Sequence, residues 1–159
     1  MIKHIKILEK SSFYETPSYP DKINPKFINV IIDVITDLPA VDLASVIIHI
    51  EKKLERKRNK KNDPRTFDLD IIDYKRKIMS FKFSNLELTL PHKEMSNRNF
   101  VLYPLKEISQ NWSHPVTKKN IDVLIKDLKS YYAVVLLILF KNFKHTFALP
   151  NQKINFCWT

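Results

Sequence analysis

The absence of glycine is the feature of this sequence that most restricts how its backbone can fold. None of the 159 residues is glycine, whereas average usage of about 7% would supply about eleven. Glycine adopts positive φ without a steric penalty, so it normally occupies tight turns and the C-terminal ends of helices. Turns that need positive φ in this chain are therefore predicted to use Asn or Asp, or to be remodelled.

Length and composition indicate a single domain with an ordinary hydrophobic core. The chain is 44% hydrophobic and 28% charged, which is typical of soluble globular proteins. Its formal net charge of +10 favours anionic partners, and charge alone allows a nucleotide, RNA or an acidic lipid. The single cysteine, Cys157, excludes an internal disulfide. Because the first residues show no signal-peptide hydrophobic region, we expect a protein of the reducing cytoplasm.

The stretch Thr66–Tyr74 predicts a β-strand that presents two carboxylates on one face. Its apolar and polar residues alternate, and the apolar positions are Phe67, Leu69 and Ile71. Residues i and i+2 of a strand lie roughly 6–7 Å apart on the same face, so Asp68 and Asp70 stand side by side. Two hard oxygen ligands at this spacing suit Mg²⁺ that is shared with substrate phosphates. An ordinary solvated polar face would show the same pattern.

Basic residues precede this strand, in the run Arg56–Lys61 and at Arg65. Cations beside acidic metal ligands are what phosphoryl transfer requires, so a metal–phosphate site is one hypothesis. A solvated helix end is a second. A basic nucleic-acid-binding module over residues 52–61 is a third; it predicts binding that weakens steeply with salt, although the sequence shows no base-reading motif.

Further motifs narrow these hypotheses. Leu90-Pro91-His92 and Asn97–Leu105 follow the acidic strand, while Ser11–Pro17 and Phe27-Ile28-Asn29 precede it. Together with the run Lys60–Ile71, which contains Pro-Arg-Thr-Phe-Asp-Leu-Asp, these motifs closely resemble the hydroxymethyl-dihydropterin pyrophosphokinase family of folate biosynthesis. The resemblance extends from about residue 5 to residue 128.

The resemblance implies both a fold and an activity. The fold would be an α/β (α+β) sandwich of ferredoxin-like type, an antiparallel sheet with helices packed on it. The activity would be transfer of pyrophosphate from ATP to 6-hydroxymethyl-7,8-dihydropterin, giving AMP, with two Mg²⁺ ions and with ATP as co-substrate. The protein would be a monomer that acts on these two small molecules, with no nucleic-acid or membrane partner.

The resemblance also implies roles for individual residues. The metal ligands would be Asp68 and Asp70, and the catalytic residues would be Arg56, Arg65, Asp68 and Asp70. Contacts to ATP would come from Glu51, Arg58, Ile71, His92 and Arg98. The pterin would contact Thr16, Pro17, Phe27, Asn29 and Phe100. Ordinary structural roles compete with these: a helix-surface position for Glu51, a structural role for His92, and core positions for Phe27 and Phe100.

One part of the family pattern has no match in this chain. Family members begin with a strand ending in Gly-Ser-Asn and a helix, before the position that matches Ile5, and that strand is central in the sheet. We therefore expect an N-terminally truncated member, with residues 1–130 as an incomplete pyrophosphokinase-like domain and residues 131–159 as a divergent hydrophobic and basic tail. The alternative function is a truncated pseudoenzyme that binds nucleotide or pterin without turnover.

Hydrophobic periodicity predicts the remaining elements. Residues Ile5–Tyr14 and Phe27–Thr36 read as two antiparallel strands joined by a proline-containing loop. Pro39 suits the first turn of a helix, whose apolar stripe is Leu43, Val46, Ile47, Ile50 and Leu54. Alternation between Lys75 and Leu90 indicates a hairpin or edge segment, and Asn120–Leu128 has helical spacing.

The tail contains an apolar run, Ala133–Phe140, that has the pattern of a fully buried strand. Such a strand would fill or cover the gap left by the missing central strand, or pair with another chain. A helix packed outside the sheet is equally consistent with the run.

Overall fold

The computed structural model describes residues 4–17, 26–53, 68–83, 86–128, 135–137 and 153–158. The strands in these ranges are β1 (Ile5–Lys10), β2 (Phe13–Thr16), β3 (Phe27–Thr36), β4 (Leu69–Tyr74), β5 (Met79–Phe83), β6 (Leu86–Leu90), β7 (Val135–Leu137) and β8 (Lys153–Trp158). The helices are α1 (Ala40–Lys53), α2 (Asn99–Ile108) and α3 (Ile121–Lys126), and a 3₁₀ turn covers Met95–Asn97. Within the described part of the chain, no helix is long and apolar enough to span a membrane.

One antiparallel sheet organises the molecule. Its strand order is β4-β8-β3-β2-β7, and β1 also pairs with β3. Strands β5 and β6 form a separate antiparallel hairpin, as predicted for the segment between Lys75 and Leu90. The predicted α+β class, an antiparallel sheet with helices packed on it, is confirmed.

The first predicted strand is interrupted at Ser11 and Ser12. Its two parts, β1 and β2, both pair with β3. The Ser11 N–H donates to the Ile31 carbonyl over 2.9 Å, and the Ile31 N–H donates to Ser11 Oγ over 3.0 Å. Because a side-chain hydroxyl replaces a backbone acceptor here, the ladder continues across the break between the two strands.

Alternate residues of β3 and β4 face two different helical layers, as the period of two requires. Ile31 of β3 and Ile72 of β4 pack with α2 and α3 in one core. Val34 and Ile71, on the other side of the same strands, pack with α1 and with Leu90 of the hairpin. We call these two sides of the sheet the α2 face and the α1 face.

The C-terminal strand β8 lies between β3 and β4. Six residue pairs join it to β3, and five join it to β4. Within the predicted strand Ala133–Phe140, the structure describes Val135–Leu137, which forms β7 and pairs with β2 at the edge of the sheet. The position between β3 and β4 is therefore taken by a later part of the tail than the segment that we predicted to fill a central gap.

Cations, rather than Asn or Asp, occupy the positions of positive φ in the described part of the chain. These are Lys75 (φ 53°), Arg76 (φ 60°) and Lys118 (φ 59°), so the prediction that Asn or Asp would take such positions is wrong for these turns. A left-handed conformation costs an L-residue roughly 1–2 kcal/mol. The turn at Lys75 and Arg76 offsets this with two hydrogen bonds, from Lys77 N to Tyr74 O at 2.9 Å and from Arg76 N to Asp73 Oδ1 at 3.2 Å.

Candidate functional site

Three of the predicted site residues meet at the start of β4. Asp70 is the second residue of this strand, and alternation places it on the α2 face together with Ile72. Its Oδ2 accepts a hydrogen bond from Arg98 Nη1 at 3.0 Å. His92 Nε2 lies 3.8 Å from the same oxygen. The Asp70 side chain keeps 35% of its surface exposed, so the cluster can be reached from solvent.

Arg98 connects this cluster to α2. It is the N-cap residue of that helix, and its guanidinium carbon lies 5.7 Å from the centre of the Phe100 ring. A cation over an aromatic face is stabilised by about 0.5–1 kcal/mol at an exposed site. Phe100, predicted to contact the pterin, therefore lies beside the predicted phosphate contact Arg98.

The His92 ring directs its Nε2 at Asp70. Its backbone N–H donates to the Ile72 carbonyl over 2.8 Å, and its Nδ1 accepts from the Glu94 N–H over 3.2 Å. Burial is the largest influence and lowers the pKa of His92 below its usual 6.5; Asp70 opposes this shift, and Arg98 adds to it. Because Nδ1 is an acceptor, the ring proton resides on Nε2, the atom facing Asp70.

The predicted pterin contacts on β2 and β3 also come together. Thr16 lies opposite Phe27 in the strand pairing. The Asn29 amide nitrogen donates to Thr16 Oγ1 over 2.9 Å and to the Tyr14 carbonyl over 3.3 Å. Asn29 is 1% exposed. The Asn29 amide nitrogen therefore has two protein acceptors, which fix the carboxamide against β2.

The register of β8 fixes the distance between these two groups of residues. Cys157 pairs with both Asp70 and Ile31, so Asp70 is level with Ile31. Asn29 lies two residues closer to the start of β3. Strands about 4.8 Å apart and a rise of about 3.4 Å per residue place the Cα atoms of Asp70 and Asn29 about 12 Å apart. The two groups thus face the same side of the sheet across the width of β8.

Two predicted ATP contacts belong to the α1 face. Glu51 is buried, and its Oε1 accepts a hydrogen bond from the Leu69 N–H over 3.0 Å. This excludes the alternative of a helix-surface glutamate, since Glu51 ties the end of α1 to the start of β4. The Ile71 side chain is buried against α1 and faces away from Asp70.

The remaining predicted residues divide into two groups. Asp68 and Pro17 lie just outside the ends of β4 and β2, and Phe27 is half-buried in β3. Arg56, Arg58 and Arg65 fall outside the described residues, so their roles stay predictions. The stacking of a ring between Phe27 and Phe100 also stays a prediction.

Sequence reasoning missed a carboxylate that joins α2 to β2. Glu107 Oε1 accepts hydrogen bonds from the Ser12 N–H at 2.9 Å and from the Ser12 hydroxyl at 2.8 Å. Its Oε2 accepts from the Tyr14 hydroxyl at 2.8 Å. Burial, followed by the hydrogen bond to Glu107 and the charge of that carboxylate, raises the pKa of Tyr14. No periodicity could have linked residues more than ninety positions apart.

A second missed cluster surrounds Asp73 at the other end of β4. Asp73 is 3% exposed, and its Oδ2 accepts a hydrogen bond from Trp112 Nε1 over 2.9 Å. The Arg76 guanidinium carbon lies 5.2 Å from the centre of the Trp112 ring, and His114 contacts that ring edge-on at 5.9 Å. The sequence feature that could have indicated this cluster was an acidic residue at the otherwise apolar end of a strand. The cluster joins the turn after β4 to the segment before α3.

Comparison with known proteins places these observations in a family. Residues 1–110 match the family model described as 7,8-dihydro-6-hydroxymethylpterin-pyrophosphokinase (HPPK). The chain is 35% identical over 153 residues to the folic acid synthesis protein fol1 of Pneumocystis carinii. The aligned region covers 96% of this chain and 20% of the Pneumocystis protein.

Two bacterial relatives are named 2-amino-4-hydroxy-6-hydroxymethyldihydropteridine pyrophosphokinase. The protein from Synechocystis is 33% identical over 128 residues, covering 80% of this chain and 63% of the relative. The protein from Haemophilus influenzae is 31% identical over 130 residues, covering 82% and 78%. The chain thus spans a fifth of the Pneumocystis protein and less than two thirds of the Synechocystis protein.

Proposed function

Because this chain belongs to the 7,8-dihydro-6-hydroxymethylpterin-pyrophosphokinase family, we propose that it transfers pyrophosphate from ATP to 6-hydroxymethyl-7,8-dihydropterin, releasing AMP, in folate biosynthesis. The observation that carries the proposal is the contact of Asp70 with both Arg98 and His92 on the α2 face. A carboxylate, a guanidinium and a neutral imidazole at one solvent-accessible point are suited to a polyphosphate and its cation.

The residues at the start of β4 fit Mg²⁺. Asp70 is the second residue of β4, and Asp68 immediately precedes that strand, so both offer carboxylate oxygens at the same end of it. In the described part of the chain, no three His, Cys, Asp or Glu side chains are grouped as a metal site. Mg²⁺ commonly takes one or two carboxylates and completes its coordination with water and substrate phosphates. Bound together with ATP, Mg²⁺ would offset the triphosphate charge and help align the attacking hydroxyl.

Arg98 and His92 bind and orient the phosphates in this proposal. A guanidinium has five N–H donors, so Arg98 can keep its hydrogen bond to Asp70 while it donates to phosphate oxygens. The neutral His92 ring offers its Nε2 proton as a donor without adding a positive charge next to Arg98. Burial lowers the pKa of His92, which favours this neutral form of the imidazole.

The pterin would lie against β2 and β3. Asn29 offers a fixed carbonyl oxygen to an N–H group of the heterocycle, because its own N–H groups donate to Thr16 and to Tyr14. Phe100 supplies an apolar face next to Arg98. The separation of about 12 Å between Asp70 and Asn29 leaves room for a pterin ring and its hydroxymethyl group to reach toward the phosphates.

The domain assignment follows the same reasoning. We propose that residues 1–130 carry the substrate contacts, whereas the tail contributes strand β8 to the sheet beneath them. The tail would then act as part of the enzyme domain rather than as a separate appendage.

The test is Mg²⁺-dependent formation of AMP from ATP, measured with and without the pterin. Asp70→Asn keeps the size of the side chain but removes its charge, and should lower kcat/KM by roughly 100-fold or more, since metal ligands supply several kcal/mol. Asp122→Asn, on the exposed face of α3, is the matched control and should leave kcat/KM unchanged. If the unaltered chain binds Mg-ATP or pterin without forming AMP, the pseudoenzyme alternative replaces the proposal.

A further inference from the structure

Glu107 concentrates three hydrogen bonds on one carboxylate at the surface of the molecule. It accepts from the Ser12 N–H, the Ser12 hydroxyl and the Tyr14 hydroxyl, all within 2.9 Å. Hydrogen bonds to an ionised acceptor are shorter and about twice as strong as neutral ones. Glu107 itself is exposed, so its contribution comes from these bonds rather than from core packing.

The two segments that Glu107 joins carry opposite walls of the proposed site. Helix α2 begins at Asn99, directly after Arg98, and includes Phe100. Strand β2 ends at Thr16, whose hydroxyl accepts from the Asn29 amide. The position of β2 relative to α2 therefore sets the position of the pterin contacts relative to the phosphate contacts.

Strand β2 is held in the sheet by two short ladders. It is four residues long, and it pairs over three positions with β3 on one side and over three positions with β7 on the other. Short strands with few ladder bonds belong to the parts of a protein that open most easily. Glu107 adds one hydrogen bond to a residue of this strand and two to the residue just before it, so it has a large effect on where the strand lies.

The Tyr14 hydroxyl and carbonyl connect Glu107 to the Asn29 amide. The hydroxyl donates to Glu107, and the carbonyl of the same residue accepts from Asn29 Nδ2 at 3.3 Å. Displacement of Tyr14 would remove one of the two acceptors that fix this amide. The Asn29 carboxamide could then rotate, and its oxygen would no longer point in a single direction.

We propose that Glu107 is a positioning residue for the pterin, which holds β2 against α2 and thereby fixes the orientation of Asn29. This inference rests on the proposed pterin pyrophosphokinase function, but its structural part does not. Glu107 touches neither substrate nor metal in this account. Its removal should weaken use of the pterin and spare use of ATP.

The experiment compares four variants of the full chain by steady-state kinetics and by amide hydrogen exchange. Glu107→Ala removes all three bonds, Tyr14→Phe removes one, and Glu107→Gln keeps a carbonyl oxygen that can still accept from Ser12. Asp122→Ala is the control, since it breaks a different contact of α2, the ion pair with Lys106 at 2.6 Å.

We expect Glu107→Ala to raise the KM for the pterin by about tenfold, the effect of losing hydrogen bonds to one charged acceptor. The KM for ATP should stay within about twofold, as for a distant site. Exchange of the amides of residues 12–16 should accelerate in the same variant. Tyr14→Phe and Glu107→Gln should fall between Glu107→Ala and the unaltered chain.

The outcomes separate this inference from the function on which it rests. If amide exchange of residues 12–16 is unchanged in Glu107→Ala and in Tyr14→Phe, Glu107 does not hold β2 and the inference is overturned. An equal rise of both KM values would also overturn it, because a general loss of folding would have that effect. If the unaltered chain forms no AMP while the amides still open in Glu107→Ala, the structural role stands and the proposed function fails.

Discussion

Truncation after Pro150 removes strand β8, and we predict that it abolishes cooperative folding. Strand β8 is joined by six residue pairs to β3 and by five to β4. An antiparallel ladder makes on average one hydrogen bond per residue pair, so the truncation removes about eleven. At a net 0.5–1.5 kcal/mol for each bond, the loss is roughly 5–16 kcal/mol.

That loss equals or exceeds the whole stability of a typical domain, about 5–15 kcal/mol. It also leaves β3 and β4 with unpaired ladders, which favours association with other chains. Urea unfolding followed by far-ultraviolet circular dichroism measures the effect. We expect a broad, non-cooperative transition for the truncated chain and a sharp one for the full chain.

Two point variants distinguish a central strand from an edge strand. Asn155→Pro, in the middle of β8, removes an N–H group from a strand that is paired on both sides. It should destabilise the full chain by about 2–4 kcal/mol, the lost bond plus an unsatisfied carbonyl. Leu136→Pro, in the three-residue strand β7, should have a smaller effect. A truncated chain with an unchanged urea midpoint and slope would refute the central position of β8.

Three further predictions concern the segments around the sheet. Asp73→Ala should lower the free energy of unfolding by about 1–3 kcal/mol in a urea titration, because it leaves the buried Trp112 N–H without its acceptor; a neutral effect would contradict the role of this hydrogen bond. Burial lowers the pKa of His114 in the folded chain, so the unfolded chain binds this proton at a higher pH than the folded chain does. Stability should therefore fall as the pH drops below about 6.5. His114→Asn should flatten that part of the stability–pH curve, and an unchanged slope would refute the assignment. Lys118→Gly should raise the melting temperature, since it relieves the strain of a positive φ, which costs roughly 1–2 kcal/mol. Lys77→Gly, at a position without positive φ, should lower the melting temperature. Equal effects of the two variants would contradict the assignment of backbone strain to Lys118.

Local pattern predicted those elements whose signal is contained in a few neighbouring residues. The nearly continuous β-branched run Phe27–Thr36 coincides with β3 as observed. The stripe after Pro39 predicted α1, and the alternation at Asp68 and Asp70 predicted the face on which Asp70 lies. Each of these depends on a period of two or 3.6 that one segment displays by itself.

Features that depend on distant partners were out of reach of such patterns. Strand β8 has no local property that selects β3 and β4 as its neighbours, although its paired residues there lie eighty or more positions earlier in the chain. Glu51 can be buried because its carboxylate accepts a hydrogen bond from the Leu69 N–H. The helical period of the sequence does not show which charged residue of a helix has such a donor on a neighbouring strand. Arg76 tolerates positive φ because Asp73 binds its backbone N–H, which overrides the preference for Asn or Asp.

The candidate site shows the same division. Motif resemblance identified Asp70, His92 and Arg98, and the structure brings these three together. It did not identify Glu107, because the resemblance marks residues by their expected contact with substrate, whereas Glu107 forms hydrogen bonds with Ser12 and Tyr14. A residue that would position other site residues without contacting substrate is identified from its hydrogen bonds in the structure.

Product identity is the most direct test of the proposed function. Phosphorus NMR of a reaction containing the chain, Mg²⁺, ATP and 6-hydroxymethyl-7,8-dihydropterin distinguishes transfer of two phosphoryl groups from transfer of one. We predict that the three ATP resonances are replaced by the single resonance of AMP and by the two coupled resonances of a pterin diphosphate, and that Asp70→Asn prevents this change. Appearance of ADP with a pterin monophosphate, or of ADP with free phosphate, would contradict the account.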